Sequence, residues 1–260
     1  MRCSELMETL ERLSPLSYAE SWDNVGLLCG RKEKEIHTVM IALDATADVI
    51  DQAIAANVDF LLTHHPMIFS PIKKVTGEDF IGRRLLTLIR NDICYYAMHT
   101  NFDVMGMADA VADDLNLKKC EVLDITYEDD IAKEGIGRVG FLPRIMSLKE
   151  CAEYCKEIFS LENVMVFGDI DSAIERVAVV PGSGKDYIKQ SLQKKADVLI
   201  TGDIGHHNGM DSVEQGLAII DAGHFGLEKT FVPYMAEAIK REAPQLNVVK
   251  AKEQAPFIIV

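Results

Sequence analysis

Residues 39–63, VMIALDATADVIDQAIAANVDFLLT, lie without a gap on residues 177–201, VAVVPGSGKDYIKQSLQKKADVLIT, when the sequence is shifted by 138. Seven of the 25 positions are identical: Val39/Val177, Asp48/Asp186, Ile50/Ile188, Gln52/Gln190, Asp59/Asp197, Leu61/Leu199 and Thr63/Thr201. The first copy reads as an apolar strand from residue 38, a helix over 47–57 and a second buried strand over 58–63, the pattern of a parallel βαβ unit. The strand that follows each copy also matches, now at a shift of 125, which sets His99-Thr-Asn-Phe-Asp103 on His224-Phe-Gly-Leu-Glu228. A period of this length is that of a domain and not of a solenoid. A chance likeness of two βαβ patterns is the competing reading. The expectation is an α/β fold, internally duplicated, with two related α/β lobes (1–123 and 173–260) joined by a small connector segment (124–172).

Around the first copy, residues 4–13 have helical spacing, 80–90 give another helix and 93–98 another strand. In the connector, the acidic residues 127–130 read as a solvated loop and the glycine-rich 135–140 as turns. Ser147-Leu-Lys-Glu150 is a capping box before a helix with Leu148, Cys151, Cys155 and Ile158 on one face. The two cysteines there are expected in the core, not on a metal.

The chain has 260 residues, 48% of them hydrophobic, and a formal net charge of −14. That composition is globular, with no apolar run long enough for a membrane span. The acidic balance argues against broad attraction to nucleic acid or anionic lipid. The opening MRCSELMETLERLSPLSYAE lacks the apolar core of a signal peptide. None of the six cysteines forms a Cys-x-x-Cys pair, so reduced thiols and a cytoplasmic location are expected.

Six of the seven histidines follow predicted strands, where open α/β sheets collect their ligands. Thr63-His64-His65-Pro66 comes directly after an apolar strand. Adjacent histidines in extended chain point to opposite faces, and a bend encouraged by Pro66 lets both turn toward one centre. A polar strand terminus is the plainer reading of this pair taken alone. His224 and Glu228, four apart, share a helix face if a helix begins at Gly223-His224. Whether Pro233 kinks or interrupts that helix stays open. Together His64, His65, His224, Asp103 and Glu228 make a mixed nitrogen and oxygen ligand set, enough for two divalent ions if one carboxylate bridges them. Zinc, iron, manganese and nickel all suit it. His99 and His207 are candidate proton shuttles, and His206 against His207 stays open. Pro181-Gly-Ser-Gly-Lys185 resembles the end of a P-loop, but Val179 and Asp186 stand where Gly and Ser or Thr are needed.

Ser21-Trp22-Asp23-Asn24-Val25-Gly26-Leu27, Ala42-Leu43-Asp44-Ala45-Thr46, Leu62 through Pro66, His99 through Asp103 and Gly223 through Glu228 occur in that order. In this the chain resembles the Nif-three-like dinuclear-metal family, whose bacterial members are labelled GTP cyclohydrolase 1 type 2 homologues. The resemblance implies a duplicated α/β fold and two ions on His64, His65, Asp103, His224 and Glu228, with Glu228 bridging. It also implies a toroidal homohexamer with sites facing an internal cavity. A metal-dependent hydrolase acting on a small anionic, phosphorylated or purine-type substrate is the expected function. A non-catalytic metal-storage, metal-delivery or adaptor protein is the alternative.

Overall fold

The computed structural model describes residues 1–130 and 132–260. In chain order the elements are α1 (Cys3–Leu13), β1 (Gly26–Cys29), β2 (Thr38–Ala42), α2 (Ala47–Ala55), β3 (Phe60–Thr63), α3 (Phe80–Arg90), β4 (Cys94–Ala97), α4 (Thr100–Phe102), α5 (Ala108–Asp114), β5 (Lys118–Glu128) and β6 (Lys133–Ser147). They continue with α6 (Leu148–Phe159), β7 (Met165–Phe167), β8 (Ala173–Ser183), α7 (Ile188–Gln193), β9 (Val198–Gly202), α8 (His206–Glu214), β10 (Ala218–Asp221), α9 (His224–Glu228), α10 (Phe231–Glu242) and β11 (Asn247–Lys250). The chain is mixed α/β.

Two compact units form: Met1–Phe102 together with Phe231–Val260, and Asp103–Thr230. These boundaries differ from the expected 1–123, 124–172 and 173–260. The reason lies in strand pairing. The C-terminal β11 returns to the first sheet and pairs in parallel with β2, Val248 opposite Val39. The described residues of 124–172 belong to the second unit, because β5 runs through residue 124 and its hairpin partner β6 pairs with β8. The stretch read as turns, 135–140, is strand. Gly135 lies so close to the opposite strand that a Cβ there would strike the Asp124 carbonyl oxygen.

In the first unit the strand order is β1-β4-β3-β2-β11, and in the second β5-β6-β8-β9-β10-β7. In each, three parallel neighbours (β2, β3, β4 or β8, β9, β10) end at an antiparallel edge strand, β1 or β7. The registers match as well: Val39 faces Phe60, and Val177 faces Val198. Asp59 Oδ2 accepts from the His37 and Thr38 amides at 2.8 and 3.0 Å, and Asp197 Oδ2 accepts from the Glu175 and Arg176 amides at 2.9 and 2.8 Å. Each aspartate thus satisfies donors at the start of a neighbouring strand that the ladder leaves over.

The central parallel strands β3, β4, β9 and β10 are buried along their length and mostly apolar, as strands covered on both faces must be. Met40, Leu61 and Tyr95 pack with Val49, Ile50, Ala53 and Leu88 of the first unit's helices. In the second unit Val177, Val179, Val198, Ile200 and Ile220 pack with Leu148, Cys151, Cys155 and Phe159 of α6, so both cysteines are core residues. The capping box before α6 forms, with Ser147 Oγ accepting from the Glu150 amide at 3.2 Å and the Glu150 carboxylate accepting from the Ser147 amide at 2.8 Å. Pro233 interrupts nothing: α9 ends at Glu228 and α10 begins at Phe231, which puts the proline in a first turn where its missing N–H costs no bond. Among the described residues, no helix is long and apolar enough to cross a membrane.

Candidate metal centre

In the first unit β3 delivers His64 and His65, and the chain turns sharply behind them. Thr63 Oγ1 donates to the His65 carbonyl at 2.9 Å, and the Tyr95 hydroxyl reaches the same oxygen at 3.1 Å and accepts from the Met67 amide at 2.7 Å. The alternation of an extended strand is broken there, and the two imidazoles come to 4.8 Å between ring centres. The bend expected at Pro66 is therefore present. β4 delivers His99, whose ring lies 5.2 Å from His64 and 5.6 Å from His65. One ligand-capable atom from each of the three histidines falls within 4.8 Å of the others.

Each of these rings has its Nδ1 held by an oxygen. His64 Nδ1 lies 2.8 Å from the Met98 carbonyl, His65 Nδ1 3.0 Å from Asp44 Oδ1 and His99 Nδ1 2.9 Å from Asp23 Oδ1. A carbonyl or carboxylate oxygen can only accept, so Nδ1 carries the proton and Nε2 presents the lone pair that a metal takes. Asp23 is tightly built in. Burial alone would raise its pKa, but hydrogen bonds from His99 and Thr100 hold it down to about 2. The Thr100 contacts are 2.9 Å from the amide and 2.5 Å from the hydroxyl.

The second unit carries the other three residues expected as ligands. α9 starts at His224, as the spacing predicts, and His224 Nε2 lies 2.9 Å from Glu228 Oε2, one turn on. Here too Nδ1 is held by a carboxylate, Asp203 Oδ2 at 2.8 Å. The buried Asp221 fixes both loops, accepting from the Gly223 amide at 2.9 Å and the Ile204 amide at 2.8 Å. The Glu228 side chain is only 4% exposed. It fits because Gly182, at φ +75°, has no side chain: a Cβ there would fall on the carboxylate. The P-loop-like stretch therefore makes room for an anionic side chain of this chain itself. Asp103 opens a π-helical turn, Asp103–Met107, an irregularity often found at functional sites. Arg138 steadies the elements behind it, donating to both Asp109 oxygens at 2.5 and 2.6 Å and to the Gly135 and Gly137 carbonyls at 2.9 Å.

His206 and His207 sit exposed on the first turn of α8, rings 5.2 Å apart. Among the described residues neither joins a group of closely spaced ligand atoms. His37 is exposed, as expected. In the sequence Asp23 and Asp44 stand out only as members of motifs, and Asp203 and Gly182 carry no mark of a role in the site. The available signal was position: Asp44 and Asp203 follow the ends of β2 and β9, at the same end of the parallel strands as the histidines.

The family profile described as Duf34/NIF3 (NGG1p interacting factor 3) matches residues 1–256. A Clostridium acetobutylicum protein named GTP cyclohydrolase 1 type 2 homolog is 37% identical, over 95% of this chain and 93% of that relative. The protein of the same name from Clostridium perfringens is 35% identical over 99% of both chains. The crystal structure of a Bacillus cereus protein related to NIF3 superposes with a TM-score of 0.91 at 25% identity, over 100% of this chain and 99% of that one. Reduced HcgD from Methanocaldococcus jannaschii superposes with a TM-score of 0.81 at 34% identity, over 96% and 97%.

Proposed function

The chain belongs to the Duf34/NIF3 family, and on that premise we propose that it is a dinuclear divalent-metal hydrolase acting on a small phosphorylated or purine-type substrate. The residues that would hold two divalent ions in this reading are His64, His65, Asp103, His224 and Glu228. The observation that carries it is the state of the three ligand imidazoles. Each has Nδ1 anchored on an oxygen, at 2.8, 3.0 and 2.8 Å for His64, His65 and His224, which makes Nε2 the ligand atom of His64 and His65 and sets that of His224 against the carboxylate of Glu228, its proposed co-ligand, at 2.9 Å. Acceptors behind metal-binding histidines are the usual means of fixing tautomer and ring orientation. The cradle that Gly182 leaves for the Glu228 carboxylate supports the same reading.

We infer also that the two units descend from a duplication, since topology, register and the Asp59 and Asp197 contacts repeat.

Divalent ions held there would supply the chemistry of metal-assisted hydrolysis, a more acidic bound water and a counter-charge to the substrate. His99, oriented by the ionised Asp23, sits beside the His64/His65 pair and serves as the proton shuttle to the leaving group. His207, exposed on α8, is the second candidate for that role. The GTP ring-opening in the relatives' name is one version of this chemistry, and phosphoester hydrolysis is another. The family resemblance adds a homohexamer, which light scattering would read as six times the 28.9 kDa chain.

The test is elemental analysis of the purified protein, reloading with zinc, iron, manganese or nickel, and a screen of phosphorylated and cyclic-amide substrates. About two equivalents of metal and turnover lost in Glu228→Gln are expected. Less than one equivalent, with none reloadable, overturns the metal centre. Full loading without turnover on any substrate favours metal storage, delivery or an adaptor role instead.

A further inference from the structure

Beside the histidine triad the first unit presents two large aromatic side chains to solvent. Trp22, the one tryptophan of the sequence, is 56% exposed, and Phe69 is 57% exposed. Their ring centres are 5.7 Å apart, with the planes inclined at 49°. Trp22 also meets the His99 ring edge-on at 6.1 Å.

Single exposed apolar side chains are ordinary, but this pair is held in place from beneath. Asn24 Nδ2 donates to the Ile68 carbonyl at 2.6 Å, which ties the segment carrying Trp22 to the one carrying Phe69. The Glu20 amide donates to Thr100 Oγ1 at 2.9 Å. Between them the Asp23 side chain is fully buried and binds His99 and Thr100. The contacts that orient His99 therefore also hold the turn that presents Trp22.

We propose that Trp22 and Phe69 form a ring-binding subsite of the metal centre, which takes the planar heteroaromatic ring of a nucleotide-class ligand whose phosphate faces the histidines. This rests on the metal-centre reading above and names the ligand class that such a centre takes. Two points favour this occupant. Indole and phenyl faces stack on any heteroaromatic ring without needing a particular hydrogen-bond pattern. A single imidazole separates the ledge from the His64/His65 pair, so one ligand with an aromatic end and an anionic end reaches both.

The test uses the metal-loaded full-length protein with guanosine monophosphate, adenosine monophosphate and ribose 5-phosphate as probes. Equilibrium dialysis gives affinity, and Trp22 emission reports the subsite directly because no other tryptophan contributes. Both nucleotides are expected to quench the emission saturably and to bind more tightly than ribose 5-phosphate. Trp22→Ala should weaken nucleotide binding about tenfold or more, leaving metal content and ribose 5-phosphate binding unchanged, while Trp22→Phe keeps most of the nucleotide affinity. The proposal is overturned if neither nucleotide binds, if Trp22→Ala binds them as wild type does, or if bound nucleotide leaves the emission unchanged. It is also overturned if Trp22→Ala lowers the molecular mass in light scattering, since the ledge would then cover a second copy of the chain. A protein that takes up no metal refutes the underlying centre instead, so the two failures are distinguishable.

Discussion

An oxygen on Nδ1 leaves a histidine ring to offer Nε2 to a cation, and behind the three proposed ligand histidines those oxygens are one backbone carbonyl, that of Met98, and two carboxylates outside the proposed ligand set. Asp203 holds His224 at 2.8 Å and Asp44 holds His65 at 3.0 Å. Replacing Asp203 by Asn keeps the volume but removes the ionised acceptor. Metal affinity should fall about 10–100-fold with the fold intact, read by competition against a chelating dye. Unchanged affinity in Asp203→Asn would show that the carboxylate does not support the ligand. Gly182→Ala acts on the other side of the same helix turn. A methyl group there meets the Glu228 carboxylate, and φ of +75° strains the alanine as well. The variant is expected to lose metal occupancy and keep its circular dichroism spectrum. Full metal content in that variant would remove the cradle argument.

At the scale of elements, the strands are placed by aspartates at their starts as well as by apolar burial. Asp59 ties β3 to the first residues of β2 through the His37 and Thr38 amides, with Lys34 Nζ 3.4 Å away. Burial alone would raise its pKa, but those hydrogen bonds and the lysine charge bring it below the ordinary carboxylate value. As pH falls, the unfolded chain then takes up the proton first. Asp59 therefore contributes its full stabilisation above the unfolded carboxylate range, near pH 4, and loses it as pH drops through the lower folded value. Urea unfolding of the wild type at pH 7, 4 and 3 should show that loss. Asp59→Asn should be less stable at pH 7 by about 1.5–3 kcal/mol and less dependent on pH below 4. An equal pH slope in both proteins would dismiss the carboxylate as its source. The matching Asp197 contacts in the second unit mark the construction as a repeated device.

For the whole molecule, a ligand bound only by the folded form stabilises it by mass action, about 4 kcal/mol at a thousandfold excess over its dissociation constant. Metal loading should therefore raise the melting temperature, and Glu228→Gln should cancel most of the rise. A melting temperature that stays where it is on loading would show that the folded chain does not bind the ions in preference to the unfolded one.

The parallel βαβ pattern, the histidines at strand ends and the i, i+4 pairing of His224 with Glu228 were legible in the sequence, because burial and backbone periodicity are local properties that 39–63 and 177–201 express in their own residues. The capping box at Ser147 and the core placement of Cys151 and Cys155 were readable for the same reason. Tertiary structure alone decided that β11 completes the first sheet, since strand pairing across some 200 residues leaves no local trace. It also turned the glycine-rich 135–140 into strand, where a close partner backbone excludes side chains. The oxygens behind the imidazoles were likewise hidden: Asp44 lies 21 residues from His65, and Asp203 lies 21 from His224. Sequence names the atoms able to bind a cation, but only the packed chain sets the hydrogen bonds that hold Nδ1 of His64 and His65 and so leave Nε2 as the candidate ligand atom.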